Sequence, residues 1–350
     1  MNIDLTATSI AILTYFGIYA LMAMSLNLEY GIAGIPNFGK ALFVSIGAYT
    51  AGMTYTRLLP ILAGHEVLDP CGATLGQALQ LRSEIMQMQP VVGFMNFGIT
   101  LFIACLIGGI IGYLISYATL RLKEEWFLAL VLLVGGEILR IIVRGYKPVI
   151  CASNGISAVA QPFGFIEDTR MASIAFMVFV LLLVLVVYLY LERLLHSPFG
   201  RLLKAVRENE IVARSLGKDV ARIRAQVMFI GSVIAAISGV LFVVNIGFVS
   251  TNDYIVGLTL DVWVMIVLGG MGNNRGALLG AFLITLLDRF TAIIAVQMSM
   301  SDISIEFNYV RFILFGIILL LMLHFRPQGI LPETAKTTDA HDMMAGNNHA

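Results

Sequence analysis

Apolar residues run along this chain in long blocks, not at the intervals of amphipathic elements. The blocks lie at about 7–27, 38–57, 92–118, 126–143, 172–191, 226–247, 255–271, 276–297 and 309–325. Most approach or exceed the roughly 17–25 residues that an α-helix needs to cross a bilayer. The pattern predicts an all-α, polytopic transmembrane helical bundle of about nine spans, with eight to ten possible. One stretch blurs the count. GGMGNNRGALLG (Gly269 to Gly280) breaks the apolar run, so it either joins two spans or forms the unwound centre of one broken helix.

The largest polar interruption is SPFGRLLKAVRENEIVARSLGKDVARIR, the 28 residues from Ser197 to Arg224. Eight Lys and Arg residues fall between Arg193 and Arg224. Each charge at mid-bilayer would cost roughly 2.5–3.5 kcal/mol, so this segment must sit in water beside the membrane. Ser197 suits an N-cap, Pro198 the first helical position, and Gly217 a helix stop, which predicts one helix over 197–217. Leu202, Leu203 and Val206 share a face. A basic amphipathic helix can lie on anionic lipid. The mixed signs of Arg207, Glu208, Glu210 and Arg214 suit a groove on a partner protein better.

Charge asymmetry then orients the chain. With the 192–224 loop cytoplasmic, alternation puts Arg121 and Lys123 inside and the N-terminal stretch, which lacks Lys and Arg, outside. Two spans around Asn273 leave Arg275 and Arg326 inside and Asp302 and Glu306 outside. The expectation is therefore nine crossings of the cytoplasmic (inner) membrane, N-terminus outside and C-terminus cytoplasmic. The loops 58–91 and 144–171 become external, the first carrying a surface helix over Leu75–Met88. Residues 1–332 form the transmembrane domain, and 333–350 read as a disordered cytoplasmic tail with His341 and His349 solvated.

Composition agrees: 59% of residues are hydrophobic, only 13% are charged, and mean hydropathy is +0.89. A soluble chain carries about 25% charge. The formal net charge of zero says nothing about partners. Cys71, Cys105 and Cys151 match no zinc or redox spacing. Nothing in the sequence brings Cys71 and Cys151 together, so two unpaired thiols are expected, although both lie in segments placed outside. No cleavable signal is visible, since the first ten residues lack a basic region.

Gly34-Ile-Pro-Asn-Phe-Gly39-Lys40 mimics a phosphate-binding loop up to its last position, where Ala41 replaces the Ser or Thr that would hold Mg²⁺. Its neighbours are membrane spans, so nucleotide binding by this chain is not expected. Asn27, Gly31, Gly34, Asn37 and Gly39 instead form either a turn between helices or a broken element lining a pathway. Asn154 and Gly155, in CASNGIS, form an external turn or a shaped entrance gate. Glu137 and Arg140 stand one helical turn apart and are expected to pair within a span. The spacings Gly108/Gly112, Gly272/Gly276 and Gly276/Gly280 suit close helix packing. No catalytic triad, metal-ligand set or paired carboxylates appear, and no surface suits nucleic acid. An enzyme is not expected. A self-sufficient secondary transporter would show inverted repeats and intramembrane ion sites, and neither is evident.

Together, NLEYGIAGIPNFGKALFVSIGAYTAG, SNGIS, SPFGRLLKAVRENEIVARSLG, LGGMGNNRGALLGA and FRPQGILP, in that order, resemble the membrane permeases of ABC importers for branched-chain amino acids, specifically the M-type of the two Liv paralogues. The resemblance covers roughly residues 10–332. It implies a permease that imports leucine, isoleucine or valine by alternating access. The implied partners are a paralogous second permease, two ABC ATPases that bind the ATP and Mg²⁺, an extracytoplasmic binding protein and membrane lipid. This chain itself would hold no cofactor. Gly200, Arg201, Arg207, Glu208, Glu210, Ala213 and Gly217 would form the ATPase-coupling surface, with Ile211 and Val212 replacing the family's alanines after Glu210. Asn273-Asn274-Arg275 is more polar than the family's usual turn, and segment 58–91 is longer. Relatives in the superfamily move urea or short amides, which keeps those substrates, and other amino acids, open.

Overall fold

The computed structural model describes residues 4–72, 74–119, 125–157, 159, 161–299 and 307–333. In chain order the helices are α1 (Leu5–Leu26), α2 (Lys40–Met53), α3 (Leu59–Leu62), α4 (Leu75–Met88), α5 (Pro90–Thr119), α6 (Glu125–Gly145), α7 (Lys147–Ile150), α8 (Thr169–His196), α9 (Pro198–Glu208), α10 (Glu210–Ser215), α11 (Val220–Ile246), α12 (Val256–Gly269), α13 (Asn274–Ser299) and α14 (Phe307–Phe325). A π-helical turn, Asn27–Ile32, prolongs α1, and another, Thr54–Leu58, joins α2 to α3. The chain is an all-α polytopic membrane protein.

Six helical segments are long and apolar enough to cross a membrane: Leu5–Ile32, Pro90–Tyr117, Thr169–His196, Val220–Ile246, Thr251–Gly269 and Asn274–Ile293. Helices α2, α6 and α14 occupy the other three apolar blocks. Length and composition single out these six segments among the described residues; a count of about nine requires α2, α6 and α14 to cross as well. The α2 rod starts at the charged Lys40, and α6 carries Glu125, Glu137, Arg140 and Arg144.

α11 forms the centre of the core, packed against α5, α2 and α1. Two glycines let it approach α2 closely. A Cβ at Gly47 would strike the Ala236 carbonyl, and one at Gly239 the Val44 carbonyl. Gly108 and Gly112 of α5 likewise face Ser232 and Ala236 of α11. Small residues allow backbones to touch where lipid supplies no hydrophobic drive.

The broken stretch after residue 255 is a hairpin of two helices. Gly270 (φ 118°) and Gly272 (φ 79°) turn the chain between α12 and α13. Gly269 then lies on Gly276, and Met265 on Gly280, which is antiparallel register. One broken helix would not bring those residues face to face.

At the end of the molecule far from the insert, Cys71 and Cys151 form a disulfide with Cα atoms 5.2 Å apart. This corrects the expectation of two unpaired thiols. The two residues are 80 positions apart, and only the fold brings the loop after α3 beside the end of α7. Cys151 and Ala152 take left-handed backbone (φ 60° and 58°) and turn the chain into a two-residue strand, β1 (Ile156–Ser157). β1 pairs antiparallel with β2 (Phe248–Val249), which follows α11. The expected surface helix over Leu75–Met88 is α4.

Candidate functional site

The charged insert is two helices, not the single helix expected over 197–217. Ser197 accepts the Gly200 amide at 3.3 Å and Pro198 opens α9 as expected. Asn209 then leaves helical geometry (φ −155°, ψ 100°), and its side-chain oxygen accepts the Val212 amide at 3.0 Å, starting α10. An Asn between two charged turns is a cap signal that the overall periodicity hid. Gly217, with φ 74°, ends α10, and Asp219 caps α11.

α9 buries Leu203 and Val206 against the bundle, and Ala213 anchors α10. Gly200 admits the close return of α9 on α8, where a Cβ would strike Leu195. Glu210 pairs with Arg214 on its own helix and with Arg224 of α11, the latter at 2.8 Å. Ile211 and Leu216 are left 77% and 73% exposed, with Val212 beside them. Large apolar side chains clustered on an exposed segment mark an interaction surface, for another protein or for a membrane.

Arg207 ties the insert to the core. Its guanidinium donates to the Gly31 carbonyl and, at 2.8 Å, to Glu333. Lys204 holds the other Glu333 oxygen at 2.6 Å. Burial opposes ionisation of Glu333. The Lys204 and Arg207 hydrogen bonds and charges outweigh it and hold the carboxyl below the ordinary glutamate range. Glu333, taken from sequence as the first tail residue, is therefore fixed, and 334–350 lies outside the described residues. The segment before it runs as a strap. Ile330 and Leu331 donate to the Leu268 and Gly269 carbonyls of α12, and Asn273 reaches the Leu331 and Pro332 carbonyls. Strap, insert and α12–α13 turn enclose a cleft of about 800 Å³ that Arg201, Glu208 and Arg275 also line.

Behind Gly31 lies a polar knot. Asn27 donates to Asn274 at 3.0 Å and accepts from the Gly272 amide at 2.9 Å. Asn37 donates to Glu29 at 2.7 Å, accepts the Gly39 amide at 2.8 Å, and offers its carbonyl to Trp263. Glu29 pairs with Lys40 at 2.6 Å, both fully buried, and Lys40 also donates to Ser25. Lys40, the last residue of the phosphate-loop mimic, thus has a carboxylate as its anion. Gly39 lies against the Leu132 backbone of α6, and Gly34 (φ 72°) against Arg207.

Asn27 and Asn37 are sealed from solvent, so in this conformation they brace the core and line no open path. The structure joins Arg207 of the insert set to Gly31 and Gly34 of the second set. Glu137 and Arg140 pair at 2.6 Å on α6, apart from the knot. Gly155 crosses β2, where a Cβ would strike Val249 and Phe248, so it staples together two loops at the end far from the insert, beside the exposed Asn154. Sequence reasoning missed Glu29, Lys40, Ser25 and Glu333. The signal for the first two was their charge inside apolar runs.

Long apolar helices, a charged helical insert and a buried polar knot joining the two define a multi-pass membrane protein with a helical appendage outside its apolar bundle. The chain belongs to the family described as branched-chain amino acid transport system / permease component, whose profile matches residues 8–323. It is 34% identical over 335 residues, 95% of each chain, to the probable branched-chain amino acid transport permease protein LivM of Methanocaldococcus jannaschii. It is 28% identical to the high-affinity LivM of Salmonella typhimurium, covering 93% of this chain and 70% of that one. It is 26% identical to the LivH permease of the same bacterium, covering 91% and 93%. No solved structure matches the chain.

Proposed function

We propose that this chain is the LivM-type permease subunit of an ATP-driven importer of branched-chain amino acids. It pairs with a LivH-like second permease, receives leucine, isoleucine or valine from an extracytoplasmic binding protein, and is driven by two ATPases that hold ATP and Mg²⁺. The insert face is cytoplasmic in this reading, with the N-terminus outside. The disulfide between loops on the opposite face supports that orientation, because such bonds persist in oxidising surroundings.

One observation carries the ATPase reading. The α9–α10 insert leaves Ile211 and Leu216 exposed, while Arg207 holds its other side to the Gly31 carbonyl of the core. ATPase closure would press on α10, shift α9 and pull on the turn at Gly31. Ligand would then cross between the two permeases.

The test is a mild-detergent pull-down of the tagged chain from its native membrane, with mass spectrometry of what is retained. Recovery of ATPases and a second permease, both lost with Arg207→Glu plus Glu210→Lys, supports the reading. Recovery of this chain alone, with leucine flux into ATP-free vesicles, overturns it in favour of a secondary transporter.

A further inference from the structure

Among the described residues, two further groups of charged side chains lie on the apolar helices besides the Glu137–Arg140 pair, and they differ in access. Glu29 and Lys40 are completely enclosed and satisfy one another. The second group is not enclosed. Asp288 and Arg289, on α13, keep 12% and 26% of their side-chain surface exposed and approach each other at 3.3 Å. The Arg289 guanidinium lies 3.4 Å over the Tyr15 ring of α1. Tyr19, one turn further along α1, is within electrostatic reach of Asp288, Arg289 and Asp261 of α12. Three neighbouring helices thus converge on one patch.

Its depth restricts what can cover it. Asp288 stands about 21 Å along α13 from its start, within the 20-residue apolar segment Asn274–Ile293, whose length matches a hydrocarbon core roughly 30 Å thick. Partly exposed carboxylate and guanidinium groups at that depth face a water-filled space or another protein, not lipid. The Arg289 Nε, moreover, is buried and has no hydrogen-bond partner among the described residues. A buried charged donor without an acceptor is expensive unless something supplies one.

We infer that Tyr15, Tyr19, Asp261, Asp288 and Arg289 form a station on the translocation path that takes a zwitterionic α-amino acid. Arg289 receives the ligand carboxylate, for which a guanidinium fork is matched. Asp288 and Asp261 receive the ammonium, and the phenol rings give the alkyl side chain an apolar wall with polar edges. A neutral urea or amide would need neither charge, so the patch favours the amino-acid member of the substrate class. This inference rests on the importer reading above.

The test uses the complete importer reconstituted in liposomes with its binding protein. Wild type must import leucine; if it does not, the importer reading fails whatever the station does. If it does, Asp288→Asn and Arg289→Gln should each lower leucine imported per ATP hydrolysed about ten-fold, the loss expected for one charge-assisted hydrogen bond. Arg289→Lys should recover part of it. Import per ATP equal to wild type in both variants would overturn the station. Access is measured separately, with Ala292→Cys, an exposed position one helical turn beyond Asp288 and Arg289 on the same face of α13, in a Cys105→Ala background that keeps the disulfide. A charged, membrane-impermeant thiol reagent should modify the new cysteine, and leucine under turnover should slow it several-fold. No modification, or modification that leucine leaves unchanged, overturns the assignment.

Discussion

Arg207 and Glu333 meet at 2.8 Å although 126 residues separate them. That contact converts the end of the membrane domain into a clasp over the insert, because the same guanidinium also holds the Gly31 carbonyl. A push on α9 therefore reaches the π-helical turn after α1 directly and the α12–α13 turn through the strap. Glu333→Gln keeps the shape and removes the charge. It is expected to lower import per ATP hydrolysed about ten-fold, equivalent to one charge-assisted hydrogen bond, with abundance in the membrane unchanged. Import per ATP at the wild-type ratio would remove the clasp from the coupling path.

The same contact carries a pH dependence. Lys204 and Arg207 hold the Glu333 carboxyl below its unfolded value. Its contribution is therefore complete above the ordinary glutamate pKa of about 4.3, and it is lost as pH falls through the lower folded value. Spin labels on the exposed Gln328 and Ala205 should keep their separation at neutral pH and part only below the ordinary glutamate range. Parting near neutral pH would contradict the sign.

The Glu29–Lys40 pair predicts an asymmetry between single and double variants. Lys40→Met alone leaves a fully buried carboxylate without its cation, expected to cost about 3–5 kcal/mol in detergent unfolding. Replacing both residues by Met should recover most of that loss. A double variant as unstable as the single one would mean that Asn37 and Ser25, not the charge pair, hold the knot.

On the opposite face, Cys151→Ser removes the bridge between loops 80 residues apart. A loss of about 2–5 kcal/mol is expected, and reductant should reproduce it in wild type but not in the variant. The left-handed pair Cys151 and Ala152 should loosen as well, read as faster hydrogen exchange at Ile156 and Val249.

Gly47 tests the helix core. Its Cβ direction ends on the Ala236 carbonyl, a backbone group that cannot swing away. Gly47→Ala should cost about 1–3 kcal/mol or more from overpacking, measured as a lower unfolding midpoint. An unchanged midpoint would mean that α2 and α11 are free to separate.

Residue order alone determined the membrane class, the positions of the long helices, the caps at Ser197 and Pro198, and the stop at Gly217. These depend on block length and on local backbone chemistry, which a linear chain displays. It also displayed the Glu137–Arg140 pair, because one helical turn links them. Tertiary structure alone decided that Cys71 meets Cys151, that Lys40 answers Glu29 and not a phosphate, and that Glu333 closes on Arg207. It also gathered Asp261, Asp288 and Arg289 beside Tyr15 and Tyr19. Each of these needs two or three segments brought together by packing. A charge within an apolar run announces that it has a partner or a task, but only the fold says which.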